Sequence, residues 1–166
     1  MRQENTIRII QDKILDLRTA LFYDVSESVL HLPPTVVHTL DVDEAGQLWF
    51  VMTKPGQRVS EFDSTFPAQL NYFRKNTTHS MQVAGRGYIV RDPEELYNWM
   101  MLHPELPEIG EESILIKVTI SKVEIQEWVA ATSMLEKTIH TFLSWFNMLD
   151  SGKTVFEFQP VYYQSA

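Results

Sequence analysis

The run Trp49-Phe50-Val51-Met52-Thr53-Lys54-Pro55-Gly56-Gln57-Arg58-Val59 sets a hydroxyl and two cations where an apolar strand pattern breaks into a turn and a short helical pattern. Backbone N–H groups at a helix start have no intrahelical partner and point at whatever sits beyond the end. With the Thr53 hydroxyl and the charges of Lys54 and Arg58 beside them, those donors make a plausible anion site, a phosphate being the ligand they suit. The same residues also suit an ordinary surface turn, with Pro55 and Gly56 shaping the backbone and both cations solvated. On motif strength alone the plain turn is the commoner outcome.

Other chemistries are thinly represented. The chain has no cysteine, which removes thiolate catalysis, disulfides, zinc-thiolate sites and iron–sulfur clusters together. Its five histidines, His31, His38, His79, His103 and His140, fall on different expected elements, and no pair has the spacing of a metal-binding helix. We therefore expect no metal. Ser60 and Ser64 lie in no nucleophile-elbow context, there is no Walker loop, and Gly85-Arg86-Gly87 is too short for a dinucleotide fingerprint. No acid/base constellation is visible, so no catalytic side chain is assigned.

A net charge of −8 repels phosphate backbones, and no basic cluster with interleaved aromatics offsets it, so nucleic acid is not expected as a partner. No run approaches the ~18 apolar residues of a membrane span, and the amphipathic N-terminal stretch is unlike a secretory signal, so a cytoplasmic location without membrane contact is expected. The 166 residues, 44% hydrophobic and 22% charged, suit one globular domain over residues 1–166.

The elements that must position the turn follow from periodicity. Ile7, Ile10, Ile14, Leu17 and Leu21 recur at spacings of three and four, the stripe of a helix packed on one side. Strands are expected at 28–32 and 35–42, the second forming a hairpin through Asp43-Glu44-Ala45-Gly46 with 47–53. A short helix is expected within 57–65 and a strand at 68–74. The strand at 80–91 is interrupted by Gly85 and Gly87, which mark a bulge or a close backbone approach in a curved sheet. Asp92-Pro93-Glu94-Glu95 opens a helix through Leu102 with an Asp cap and a proline in its first turn; Pro104 and Pro107 prevent its continuation. Residues 114–128 read as a long central strand, Ser133-Met134-Leu135-Glu136 as a capping box before another helix, and 154–163 as a last strand. Six or seven strands and three or four helices, without regular βαβ alternation, predict a mainly β antiparallel barrel with peripheral helices. Trp49, Phe50, Trp99 and Trp128 are expected in the core, because large aromatic rings dominate burial whatever the function.

Three strings in this order carry a family likeness: Gly46-Gln47-Leu48-Trp49-Phe50, then Arg58-Val59-Ser60-Glu61-Phe62, then Val83-Ala84-Gly85-Arg86-Gly87-Tyr88-Ile89-Val90-Arg91-Asp92. With the long strand ending near Glu127-Trp128, the chain resembles, from Ile7 to Phe158, the bacterial general stress protein branch of the pyridoxamine 5′-phosphate oxidase-like superfamily. The resemblance implies a six-stranded Greek-key split β-barrel working as a homodimer, with flavin mononucleotide (FMN) in grooves at the dimer interface. It places the flavin phosphate at the turn that here runs from Met52 to Arg58, with Arg58 matching the family's usual lysine. Met52 and Gly56 stand where the family commonly has hydroxyl residues, and Thr35-Val36-Val37 replaces an Arg-Pro-Met-like string. Thr53, Lys54, the N–H groups of Gly56, Gln57 and Arg58, and His38 are then the groups left to hold the phosphate. Two functional readings follow: a flavin-dependent oxidoreductase of unknown substrate, or a non-enzymatic stress-related dimer that binds flavin weakly, another planar ligand, or none.

Overall fold

Helix α1 (Arg2–Leu17) buries Ile10, Ile14 and Leu17 of the expected stripe, but the stripe's last member, Leu21, belongs to the next strand. In the structure, a computed structural model that describes residues 2–106, 109–127 and 153–158, the helix is stopped by Arg18. Arg18 adopts a left-handed φ of 59°, and its N–H donates to the Ile14 carbonyl at 2.7 Å, a helix-ending turn formed here without glycine. The chain then enters β1 (Thr19–Asp24) directly.

The expected strand at 28–32 is absent. That stretch is a loop folded on the Asp24 carboxylate, which accepts from the N–H groups of Ser26 and Leu32, both at 3.0 Å. Pro33 and Pro34 follow and contribute no ladder donors. The hairpin forms as expected from β2 (Thr35–Val42) and β3 (Gln47–Thr53), with Gly46 at φ 75° closing the turn. The expected helix within 57–65 is one 3-10 turn, Val59–Glu61, because strand β4 (Thr65–Tyr72) begins earlier than its alternation suggests. Strand β5 (His79–Ile89), helix α2 (Pro93–Leu102) and strand β6 (Ser113–Glu127) follow their expected bounds closely, and the Asp92 carboxylate caps α2 by accepting from the Glu94 N–H. Strand β7 (Lys153–Glu157) forms the described part of the last expected strand. The helix expected after Ser133, with Trp128 and His140, lies outside the described residues.

The seven strands run in the order β3-β2-β1-β4-β5-β6-β7, all antiparallel, and β3 also pairs with β6. Six strands therefore close into a barrel. Within it β4 returns beside β1 after the β1-β2-β3 meander, which is a Greek key. Strand β6 holds β5 along one edge and divides its other edge between β3, over Ser113 to Thr119, and β7, over Lys122 to Gln126. Between these two stretches β6 bulges: Ala84 pairs with Lys122 and Gly85 with Ile120, leaving Ser121 as the extra residue. The expectation that the glycines mark a bulge or close approach is met at that point.

Leu48, Phe50 and Met52 of β3 point into the barrel with Phe22, Phe66, Leu70, Val83, Ile116 and Val118, and the α1 stripe joins this core. Trp49 and Val51 point outward and are covered by α2 and the chain after it, in a second apolar cluster with Val90, Trp99 and Leu115. Strand β3 is thus buried on both faces, which is why its sequence reads as a continuous apolar run. No helix among the described residues is long and apolar enough to cross a membrane.

Candidate functional site

Strand β3 delivers the chain to the barrel rim at a fixed point. Thr53 pairs with Ser113, and the Lys54 N–H donates to the Glu112 carbonyl at 2.8 Å, extending the β3–β6 pairing by one residue. Past Lys54 the backbone leaves the sheet. Thr53, Lys54, Gly56, Gln57 and Arg58 are exposed and contiguous on this turn. The turn is re-anchored by Val59, which packs partly buried on the core, and by Phe62, which is buried. Arg58 precedes the 3-10 turn in extended conformation, and its carbonyl accepts from the Glu61 N–H at 2.9 Å.

Among the described residues, the N–H groups of Gly56, Gln57 and Arg58 find no hydrogen-bond acceptor, and neither Lys54 nor Arg58 has a carboxylate partner. Donors and cations are gathered and uncommitted, on a chain whose net charge is −8. That donor set fits a phosphate group: charge-assisted hydrogen bonds from N–H groups and a guanidinium each contribute ~1.5–3 kcal/mol.

Two of the expected site residues stand apart from this group. The Met52 side chain is buried in the barrel core, so only its backbone borders the turn. His38 lies exposed on β2, paired with Thr19 of β1, and its Nδ1 shares a 2.9 Å hydrogen bond with the Thr19 hydroxyl rather than with any residue of the turn. One residue was missed by sequence reasoning. Arg91, two residues past the end of β5, uses Nη2 to donate to the carbonyls of Val59 at 2.7 Å and Phe62 at 2.6 Å, gripping both ends of the 3-10 turn from 32 and 29 residues away. In the sequence it was visible only as a member of the string from Val83 to Asp92, directly before the α2 cap, with no site role attached.

A second polar group lies under α2. The Lys117 ammonium binds the Glu95 carboxylate at 2.5 Å and sits 5.3 Å from the Trp49 ring centroid and 4.9 Å from that of Tyr88. Trp99 packs 5.7 Å from Trp49, and the His103 ring stacks on Trp99 at 4.4 Å. His103 closes the far end of α2: Nδ1 faces the Trp99 carbonyl at 2.9 Å and Nε2 faces the Asp41 carboxylate at 3.2 Å. Both ring nitrogens meet acceptors, an arrangement that the doubly protonated imidazolium satisfies. Burial alone lowers its pKa, but the Trp99 carbonyl, the Asp41 carboxylate and the charge of Glu105 together raise it above the ordinary histidine value.

A raised folded-state pKa adds stability below the unfolded value of ~6.5, and that stability is lost as pH rises through the folded value. Melting temperature should therefore fall as pH is taken from about 6 upward, and Asp41→Asn should flatten this part of the profile. Parallel profiles for the two proteins would show that His103 is not the titrating latch.

The closed Greek-key barrel, with one strand shared between β3 and β7, defines this chain as a split β-barrel protein with peripheral helices. Solved structures sharing the fold include a protein from Jannaschia sp. CCS1 assigned as a general stress protein 26, with 16% identity, TM-score 0.58, and coverage of 93% of this chain and 99% of that one. They also include the general stress FMN/FAD binding protein of Xanthomonas citri, at 12% identity and TM-score 0.53 over 79% of this chain and 92% of that one. A third is a pyridoxamine 5′-phosphate oxidase-related, FMN binding protein of Nostoc punctiforme PCC 73102, at 10% identity and TM-score 0.51 over 94% of each chain. No family model and no curated protein matches the sequence. The fold that the sequence resemblance implies is the fold found, and at these identities the likeness is one of architecture.

Proposed function

We propose that the protein is an FMN-binding split barrel acting as a cytoplasmic homodimer, with the flavin phosphate held by the turn after β3. The observation that carries this reading is that, among the described residues, the N–H groups of Gly56, Gln57 and Arg58 have no acceptor and the charges of Lys54 and Arg58 have no carboxylate partner, on an acidic chain. The FMN/FAD binding protein of Xanthomonas citri and the FMN binding protein of Nostoc punctiforme, which share the fold, support the choice of ligand. Thr53 and Lys54, held by the β3–β6 pairing, present a hydroxyl and a charge from a rigid rim, while Arg58 and the free N–H groups close on the phosphate from the turn. Bound flavin would supply redox chemistry of its own, and the protein's part is binding, orientation and exclusion of water.

The first test is the visible spectrum of the protein mixed with FMN and desalted: retained flavin bands support the reading, and a colourless protein ends it. Reduction of the retained flavin by a nicotinamide nucleotide then separates an oxidoreductase from a flavin carrier without turnover. Met52 and Gly56, which bring no hydroxyl to the turn, favour the carrier. Arg58→Ala should weaken FMN binding about 10-fold or more, since one charge-assisted hydrogen bond is worth ~1.5–3 kcal/mol and ~1.4 kcal/mol is tenfold. Riboflavin, which lacks the phosphate, should be indifferent to the change. Unaltered FMN affinity in this variant would remove Arg58 from the site.

A further inference from the structure

We propose that Arg91 is a positioning residue of the phosphate turn, holding it in the conformation that aims the Gly56, Gln57 and Arg58 donors at a phosphate monoester. This rests on the reading of that turn as the flavin phosphate site. The 3-10 turn Val59–Glu61 is poorly equipped to hold itself: it has no capping side chain, none of its residues is fully buried, and its two internal hydrogen bonds measure 2.9 and 3.3 Å. Arg91 supplies what is missing. A single guanidinium nitrogen binds the Val59 and Phe62 carbonyls, spanning the turn, and a planar guanidinium fixes both oxygens with little orientational freedom.

Charge sharpens the argument. Arg91 brings a third cation to a segment already carrying Lys54 and Arg58, and among the described residues none of the three has a carboxylate partner. Glu61, Asp63 and Asp92 lie in or beside the same segment without forming an ion pair to these cations among the described residues, so an anionic ligand would not have to displace a protein carboxylate. Arg91 lies two residues past the end of β5 and directly precedes the Asp92 cap of α2, so its backbone is held between the Val90 N–H, which donates to the Leu115 carbonyl at 3.0 Å, and a capped helix. The turn is thereby referenced to rigid elements at both ends: Lys54 through β6, and Val59 and Phe62 through Arg91.

The test is a titration of wild type, Arg91→Ala and Arg91→Lys with FMN and with riboflavin, read by quenching of flavin fluorescence, with thermal melting alongside. The expected result is that wild type prefers FMN to riboflavin. Arg91→Ala should reduce that preference about 10-fold or more while leaving riboflavin affinity unchanged, and Arg91→Lys should recover part of it, because an ammonium can still donate to both carbonyls. Preference retained in Arg91→Ala overturns the role of Arg91 and leaves the phosphate turn standing. Equal loss of both ligands in Arg91→Ala also overturns it, since the residue would then serve only general stability. A wild type that does not distinguish FMN from riboflavin overturns the phosphate turn and the role of Arg91 together. Should Arg91→Ala fail to fold, Arg91→Lys decides, a full wild-type preference at reduced melting temperature counting against the proposal.

Discussion

Gly85→Ala should lower the melting temperature by ~10 °C or more, or leave no folded protein to melt. A methyl group at this position would lie 2.2 Å from the Thr119 carbonyl oxygen and 3.0 Å from both the Thr119 carbonyl carbon and a Val118 methyl. The first two are backbone atoms of the neighbouring strand, so no side-chain rotation relieves the clash. Either β5 and β6 separate or the bulge at Ser121 shifts, and the β5–β6 ladder is the longest in the barrel. Overpacking typically costs ~1–3 kcal/mol and more when backbone must move, against a total stability of ~5–15 kcal/mol. Differential scanning calorimetry decides the matter: a change under ~2 °C would mean that the two strands do not approach as closely as described.

Phe22→Ala should cost ~3–5 kcal/mol, the usual range for emptying a buried aromatic site. Phe22 is fully buried at the centre of the barrel, its ring 5.1 Å from that of Phe50 and 6.1 Å from that of Phe66 in tilted and edge-on contacts. Truncation removes both contacts, one to β3 and one to β4, and leaves a void that cannot collapse without bending the closed sheet. Urea unfolding should show a midpoint well below that of wild type with an unchanged slope, while Phe73→Ala, at a residue 62% exposed, should stay within ~0.5 kcal/mol of it. Equal losses in the two variants would contradict the assignment of inside and outside.

The comparison of these two phenylalanines shows what local pattern can carry. Tyr72 and Leu70 alternate cleanly against Asn71, and the strand was legible; Arg74, next in the same alternation, falls outside it and pairs with Asp16 of α1 instead. Leu21 continues the α1 stripe in spacing, so nothing local marks the left-handed turn at Arg18 that throws it into β1. The apolar run at 28–32 looks like a strand because Leu30 and Leu32 are core residues, yet Asp24 and the two prolines hold it as a loop. The bulge was legible through Gly85, whereas its effect on β6, where Ile116, Val118 and Ile120 face inward before Ser121 and Val123 and Ile125 after it, needs the partner strand to be seen.

At the site, Thr53, Lys54 and Arg58 were legible because they are neighbours in the chain. Arg91 was not, because its meaning lies in two carbonyls about thirty residues away, and backbone acceptors leave no residue type to recognise. The Asp41–His103 contact joins two recognisable side chains, but they are 62 residues apart and meet only when α2 folds across the outer face of β3.

The shared edge of β6 bears on how the molecule avoids other copies of itself in a crowded solution. Between the stretches that β3 and β7 cover, the Ile120 N–H donates to the Gly46 carbonyl at 3.0 Å and the Ser121 carbonyl accepts from the Phe158 N–H at 2.6 Å, so the seam presents no template for an incoming strand. Among the described strands, β7 alone has a partner on one side only. It is five residues long and ends on the exposed Glu157, and so offers an aggregating chain only a short foothold.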